Sequence, residues 1–299
     1  MTSKTSALMG ALTADAAGLG LHWLYDVERI AQVVGDGPAA FTPIDGAHFE
    51  GVPAYFAHGM RRDGQLSQYG ETLSLAMRSI LAHGGFDVSA YQTAFAAHFG
   101  PGGAYVGYID RPTRGALVNI AAGTLSPSGI DDDQHPAITT LPAVLAKHGN
   151  DTAMIKAAME VTNVNDTANR YSAIIAATLT SVIDGTSLKD ALHATAQSET
   201  LLQDALTSDL GSIAYGDVTN RACHLHQGTP LSWHILANTT SYQEAVEMNI
   251  RCGGDSAGRA MIIGALAGAA YGMAEIPSAW LDAMENSEVL MTQAQQLDS

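Results

Sequence analysis

The stretch RCGGDSAGRAMIIGALAGAAYG, residues 251–272, places one carboxylate, Asp255, after two glycines and before a run, Ala260 to Ala274, that carries no charge. Other acidic groups stand in similar settings. Asp15 is the only charged residue between Lys4 and Asp26, Glu71 lies near the start of QYGETLSLAMRSI, and Asp131, Asp132 and Asp133 precede QHPAITTLPAVLA. Carboxylates with adjacent hydroxyls are the donors that hard divalent cations take, so Glu71 with Thr72 and Asp255 with Ser256 could hold Mg²⁺. A plainer use also exists for each. A first-turn carboxylate caps free amides and meets the helix dipole, worth about 0.3 to 1 kcal/mol, and Asp255 could pair with Arg259 one turn later. Capping fits Asp15 less well, because an unpaired ionised carboxylate in mid-run is costly to bury. Its sequence setting predicts a buried side chain hydrogen-bonded to donors from another of these segments.

Other constellations offer less. Cys223, His224, His226 and His234 could suggest zinc, but their spacing matches no closed zinc site, and Thr229–Pro230 reads as a helix entry. Glycine-rich phosphate loops of the GxGxxG or GxxxxGK[ST] type are absent from the sequence. In RPTRG, Arg111 and Arg114 are either anion-binding or solvated surface groups. Met154, Met159, Met248 and Met261 read as core filling.

Elements able to position these residues are helical. Strand signals are scarce, and apolar residues recur at three and four positions through most of the chain. The spacing predicts helices over 5–20, 71–83, 88–98, 112–122, 136–147, 151–161, 166–184, 187–198, 230–238, 242–251, 256–273 and 278–293, with Ser187 and Asp166 at helix starts and Gly185 as a stop. Gly10 with Ala14, and Gly264, Gly268 and Gly272, set small residues on one face at every fourth position, a pattern for close helix packing. Residues from about 31 to 66 are rich in Gly and Pro and show no helical period, and a loop this long in a compact domain is usually functional or mobile. With no Pro/Ser-rich linker and no shift in composition, residues 1–299 read as one compact all-α domain.

Bulk properties narrow the partners. The 299 residues carry 14 basic and 30 acidic side chains, a formal net charge of −16, which argues against nucleic acid. Two cysteines without a CxxC pair point to a reducing compartment, the cytosol. Asp15 breaks the N-terminal apolar run, which makes it a poor signal peptide. The Ala260–Ala274 run falls short of the roughly 18 to 20 residues that span a bilayer, so no membrane partner is expected.

The order of the motifs GALTADAAGLGLHWLYD, YGET, RPTRGALVNIAAG and NIRCGGDSAGRAMIIGALAGAAYG resembles the ADP-ribosylglycohydrolase superfamily over nearly the whole chain. The resemblance implies an all-α domain that removes ADP-ribose from proteins or small acceptors with two Mg²⁺ or Mn²⁺ ions. It implies that Asp255 is a metal ligand brought against Glu71. Departures from the pattern are many. Tyr69, Gly70, Glu71 and Thr72 stand where the family has Thr-Asp-Asp-Thr, and Ala257 and Gly258 where it has an aspartate and a threonine. Gln134 to Thr139 replaces Asn-Gly-Ala-Ala-Met-Arg, Thr162–Asn163 replaces a Thr-His pair, and His22 takes the place of a glutamate.

These changes resemble the branch that includes the J-type lens crystallins. At most one ion is then expected, on Glu71, Thr72, Asp255 and Ser256, with Glu71 or Asp132 as general base. His22, Tyr69, Arg114, Gln134, Gly253 and Gly254 would face a small-molecule or ADP-ribosylated substrate. Restoring oxygens at Gly70, Ala257 and Gly258 should raise metal affinity. The expected activity is cleavage of an N- or O-glycosidic bond to ADP-ribose or a related ribosyl compound, and the alternative is a catalytically silent relative that binds a small ligand or is structural. A gap between Glu71 and Asp255 filled by Tyr69 or Arg259 would favour the silent protein.

Overall fold

The computed structural model describes residues 1–298. Among them, helices follow one another as α1 (Ser3–Gly18), α2 (Val27–Val34), α3 (Gln68–His83), α4 (Val88–Phe99), α5 (Arg111–Ala121), α6 (Leu141–His148), α7 (Thr152–Met159) and α8 (Asp166–Ile183). The series continues with α9 (Leu188–Ala196), α10 (Thr200–Thr207), α11 (Ser212–Val218), α12 (Leu225–Ala237), α13 (Tyr242–Arg251), α14 (Ser256–Tyr271), α15 (Ser278–Ala283) and α16 (Ser287–Leu297). The architecture is all-α, and the described residues hold only isolated β-bridges, Leu24 with Ala54, Ile130 with Asn163 and Gln134 with His224. Among the described residues no helix is long and apolar enough to cross a membrane.

Local chemistry sets many of the starts. Side chains of Ser67, Asp110, Asn165, Ser187 and Asp255 accept amide hydrogens of the helices that follow them, satisfying donors that have no partner within the helix. Three short helices, α2, α10 and α11, lie where no periodic run was read. Two predicted helices are interrupted. The 278–293 run breaks between α15 and α16, where Asn286 adopts a left-handed φ of 60°. The 136–147 run opens as a 3₁₀ turn, His135–Ile138, because Pro142 cannot donate back to Ile138. Helix α12 begins five residues before the predicted Pro230, which it carries in its interior.

At the centre, α1 and α14 pack along each other, with α3, α6 and α16 against α1 and α8, α12 and α13 against α14. The small-residue stripe makes this possible. A Cβ added at Gly10 would lie 2.2 Å from the Gly264 carbonyl oxygen, and one at Gly268 would lie 2.3 Å from that of Ser6. Both helices are buried on nearly every side, which explains the lack of an amphipathic pattern in either. Of the four methionines expected inside, Met159 and Met261 are fully buried, and Met154 and Met248 pack partly buried against the core. The α1–α14 pair also carries Asp15 and Asp255 into the interior. There they must meet donors.

Candidate functional site

The glycines before Asp255 build a turn that holds it in place. Gly253 and Gly254 have φ of 69° and 66°, a left-handed pair that side chains disfavour. The Gly254 amide donates to the Leu24 carbonyl and its own carbonyl accepts from the Trp23 amide, both at 2.8 Å. This docking sets His22 beside Asp255. Two buried arginines brace the turn: Arg259 donates to the Gly253 carbonyl at 2.5 Å and Arg221 to that of Cys252 at 2.7 Å. Arg259 also bonds Asn249, so it holds the backbone below Asp255 and forms no ion pair with it. Gly253 and Gly254 are buried by these contacts and have a structural place, not the substrate-facing one expected.

Asp255 is fully buried. Its Oδ1 accepts from His22 Nε2 at 2.7 Å and from the Gly258 amide at 3.0 Å; its Oδ2 accepts from His135 Nδ1 at 2.7 Å and lies 3.4 Å from the Tyr69 hydroxyl. Burial pushes this carboxyl upward, but the charges and hydrogen bonds of His135 and His22 outweigh it and hold the group well below the usual carboxylate range. The His135 ring sits in a slot cut by two glycines. A Cβ at Gly258 would lie 2.4 Å from its Nδ1, and one at Gly228 would lie 2.4 Å from its Nε2. On the other side, His22 Nδ1 shares a 2.6 Å hydrogen bond with His58 Nε2. His58, delivered by the irregular segment, is buried, and its pKa is lowered first by burial and then by the charges of His22 and Arg61.

Residues 4–299 match the ADP-ribosylglycohydrolase family as a whole. The chain belongs to the ADP-ribosylglycohydrolase family. Among its relatives, Crystallin J1A of Tripedalia cystophora is 26% identical over 316 residues, covering 98% of this chain and 95% of the relative. Crystallin J1B of the same organism is 25% identical over 312 residues, covering 95% and 93%. A solved structure of an ADP-ribosylglycohydrolase-related protein complex superposes with a TM-score of 0.71 at 19% identity, covering 99% of this chain and 96% of the other, a likeness of fold.

In this member of the family the expected ligands do not converge. Glu71 bonds Arg61 at 2.9 Å and His98 at 3.1 Å, and His98 and Arg61 together lower its pKa against the opposing effect of burial. The physical reason is helical. Residues two apart on a helix point to nearly opposite sides, at about 200°, so with Tyr69 turned to Asp255, Glu71 faces α4. Thr72 donates its hydroxyl to the Gln68 carbonyl. Ser256 has a buried hydroxyl with no partner among the described residues. Asp132 pairs with Arg111 and accepts from the Gln134 amide, which leaves Gln134 in the turn beside it. Arg114 is exposed, 5.7 Å from the centre of the Tyr108 ring.

The family's divalent ion can be tested against these donors. Both oxygens of Asp255 face N–H groups, and no cluster of three or more His, Cys, Asp or Glu suited to an ion occurs among the described residues. Space is also gone. A Cβ at Gly70 would lie 2.3 Å from Asp15 Oδ2, and one at Gly258 would meet both His135 and Asp255. The residues present do not fit a divalent cation, and restoring oxygens at Gly70 and Gly258 would collide with side chains already there.

Asp15 is buried as its sequence setting predicts. It accepts from the Ser67 amide at 2.7 Å and the Ser67 hydroxyl at 2.5 Å, at the start of α3. Burial pushes its carboxyl up to about 7, with the Ser67 bonds opposing. A folded pKa above the unfolded value means that the folded chain binds more protons between pH 4 and 7. This contribution to stability is present below about pH 4 and lost as pH rises through 7. The slope should reach about 1.4 kcal/mol per pH unit, and Asp15→Asn should remove it. Urea midpoints of the two proteins across pH 4 to 7 test this, and parallel curves would contradict it.

His135, His58, Asp110, Arg61 and His98 were not read as a site from the sequence. The Asp110 side chain caps α5 and is buried, with its carboxyl pushed up to about 6, first by burial. Its position just before Arg111–Pro112 was a cap signal. His58 lay inside the long irregular segment, itself a pointer. The zinc candidates separate: His224 and His226 both bond Asp133, whereas His234 meets Ser212 and stacks on Tyr215.

Proposed function

We propose that this ADP-ribosylglycohydrolase-family chain is a catalytically silent relative for metal-assisted glycosidic cleavage, a structural protein of the crystallin-like kind. The observation that carries the reading is the carboxylate of Asp255, held by two imidazoles at 2.7 Å where the resemblance calls for an ion. The Tyr69 hydroxyl beside it supports the same reading. The hydrolytic alternative needs Glu71 or Asp132 as base. Each is instead paired with an arginine, which disfavours taking up a proton. Cytosolic placement is part of the proposal and rests on Cys223 and Cys252, both free thiols.

Incubation with ADP-ribosylated arginine and ADP-ribosylated serine peptides, with and without Mg²⁺ or Mn²⁺, tests this. Turnover should be weak or undetectable in either case. A metal-stimulated rate in the usual enzyme range, about 1 to 1,000 per second, would overturn the reading.

A further inference from the structure

From Phe41 to Met60 the chain is irregular apart from one 3₁₀ turn, Gly46–Phe49, and the bridge of Ala54 to Leu24. Within this strap His58 alone is buried. Tyr55, Phe56 and Met60 stay 53%, 40% and 69% exposed. The ends are tied down: the Glu247 carboxylate accepts from the Ala39 and Ala40 amides, and Arg61 donates twice to the Leu66 carbonyl. Between them the hold is lighter. The Tyr25 amide donates to the Pro53 carbonyl and the Tyr55 amide to the Trp23 carbonyl, both at 3.0 Å, and Arg29 reaches the Ala47 and His48 carbonyls at 3.4 and 3.3 Å. A segment with few buried side chains opens locally at a fraction of the global free energy, so His58 is its principal anchor.

That anchor suits only a neutral ring. His58 Nε2 shares the 2.6 Å hydrogen bond with His22 Nδ1, whereas its Nδ1 is buried with no partner among the described residues. Protonation puts an N–H on both nitrogens, and the one on Nδ1 would be buried without an acceptor. Burial disfavours the charged ring first, His22 and Arg61 oppose it with their own charge, and Asp255, the one group favouring it, is outweighed. Tyr69, Tyr108 and Asp110 line the same small cavity as His58. We propose that neutral His58 is an acid-sensitive latch: as the pH falls, its uptake of a proton releases residues 46–60 and uncovers His22 and Trp23 while the rest of the fold stays closed. Both are covered in the latched form, 1% and 8% exposed, with Trp23 5.7 Å from the Tyr55 ring and 6.3 Å from that of His58. A released ring takes up its proton near pH 6.5, and the latched ring only well below that. Closure is therefore at full strength above about pH 6.5 and is lost progressively below it, the open population rising about tenfold per pH unit.

Native-state hydrogen exchange of the whole chain tests this, with rates divided by the intrinsic exchange rate at each pH. The Tyr25 and Tyr55 amides, whose bonds join the strap to its neighbour, should show constant opening above about pH 6.5 and the tenfold rise per unit below it. Amides inside α14 report opening of the whole fold and should not follow. His58→Gln keeps a polar group beside His22 but takes up no proton, and it leaves Tyr69, Tyr108 and Asp110 unaltered. Its exchange at Tyr55 should lose the rise. In the unmodified chain, NMR should find the His58 ring still neutral at about pH 5.5, a unit below the ordinary value. A flat response in the unmodified chain, the same rise in His58→Gln, opening at Tyr55 equal to that of α14 at every pH, or a charged His58 ring in the closed form would each overturn the proposal.

Discussion

Gly258→Ala should destabilise this protein by about 3 to 5 kcal/mol, although the same change in an ordinary helix interior stabilises by about 1 kcal/mol. The new Cβ would stand 2.4 Å from His135 Nδ1 and 2.5 Å from Asp255 Oδ2. The ring has little room to retreat, because the Gly228 backbone lies on its opposite edge, close enough that a Cβ added there would stand 2.4 Å from Nε2. Overpacking costs about 1 to 3 kcal/mol, and losing a hydrogen bond to a charged group adds about 1.5 to 3. The sum is a large part of the roughly 5 to 15 kcal/mol that holds a native chain together. Urea unfolding should show a lower midpoint at constant slope. In Gly258→Ala/His135→Ala the clash with the ring is gone and only that with Asp255 remains, so the pair should couple and the double variant should lose less than the two single losses added together. Unchanged or raised stability of Gly258→Ala would show that the slot is not tight.

Asp255→Ala should cost a similar amount for a different reason. It removes the acceptor of two buried imidazoles and of the Gly258 amide at one stroke. Breaking a buried pair by deleting one partner typically costs about 3 to 5 kcal/mol. Asp255→Asn preserves shape and one acceptor oxygen but turns an N–H₂ toward a ring N–H. It should lose stability too, which separates charge from packing. The depressed folded pKa of Asp255 adds a pH signature. Its stabilisation is present above the unfolded value, about 3.9, and is lost as pH falls through the folded pKa. The deficit of the variants should therefore narrow as pH falls below about 3.9, because the unmodified chain then loses this contribution as well, whereas a loss of packing alone would leave the deficit constant. Variants as stable as the unmodified chain would contradict the role of this cluster.

Much of the fold was legible because helices and caps are local. Ser187 caps its own helix as read, the start read at Asp166 is capped by the neighbouring Asn165, and the glycine stripe on α14 announced close packing without naming α1 as the partner. Asp15 was legible as a buried carboxylate, because a lone charge in an apolar run must find donors, whereas Asp255 was legible only as a cap, a partner of Arg259 or a metal ligand. Their partners were not. His135 lies 120 positions before Asp255, and His22 lies 233 before it, so only the packed chain joins them. Glu71 was misplaced by motif matching. The match fixes position along α3, but Tyr69 fixes rotation, and the rotation carries Glu71 to Arg61 and His98. His135 was visible only as the loss of a glycine from the family pattern. What replaced it could be read only beside Gly228 and Gly258, residues in α12 and α14 whose missing side chains make its slot.

The reading proposed for Asp255 is that two imidazole ring N–H groups, and not an ion, satisfy its carboxylate. Thermal unfolding of the unmodified chain in millimolar Mg²⁺ or Mn²⁺ tests it most directly, because a site filled at a hundred times its dissociation constant stabilises by about 2.7 kcal/mol. The account predicts the same melting temperature with and without the metal. A saturable rise in melting temperature that Asp255→Ala abolishes would contradict it.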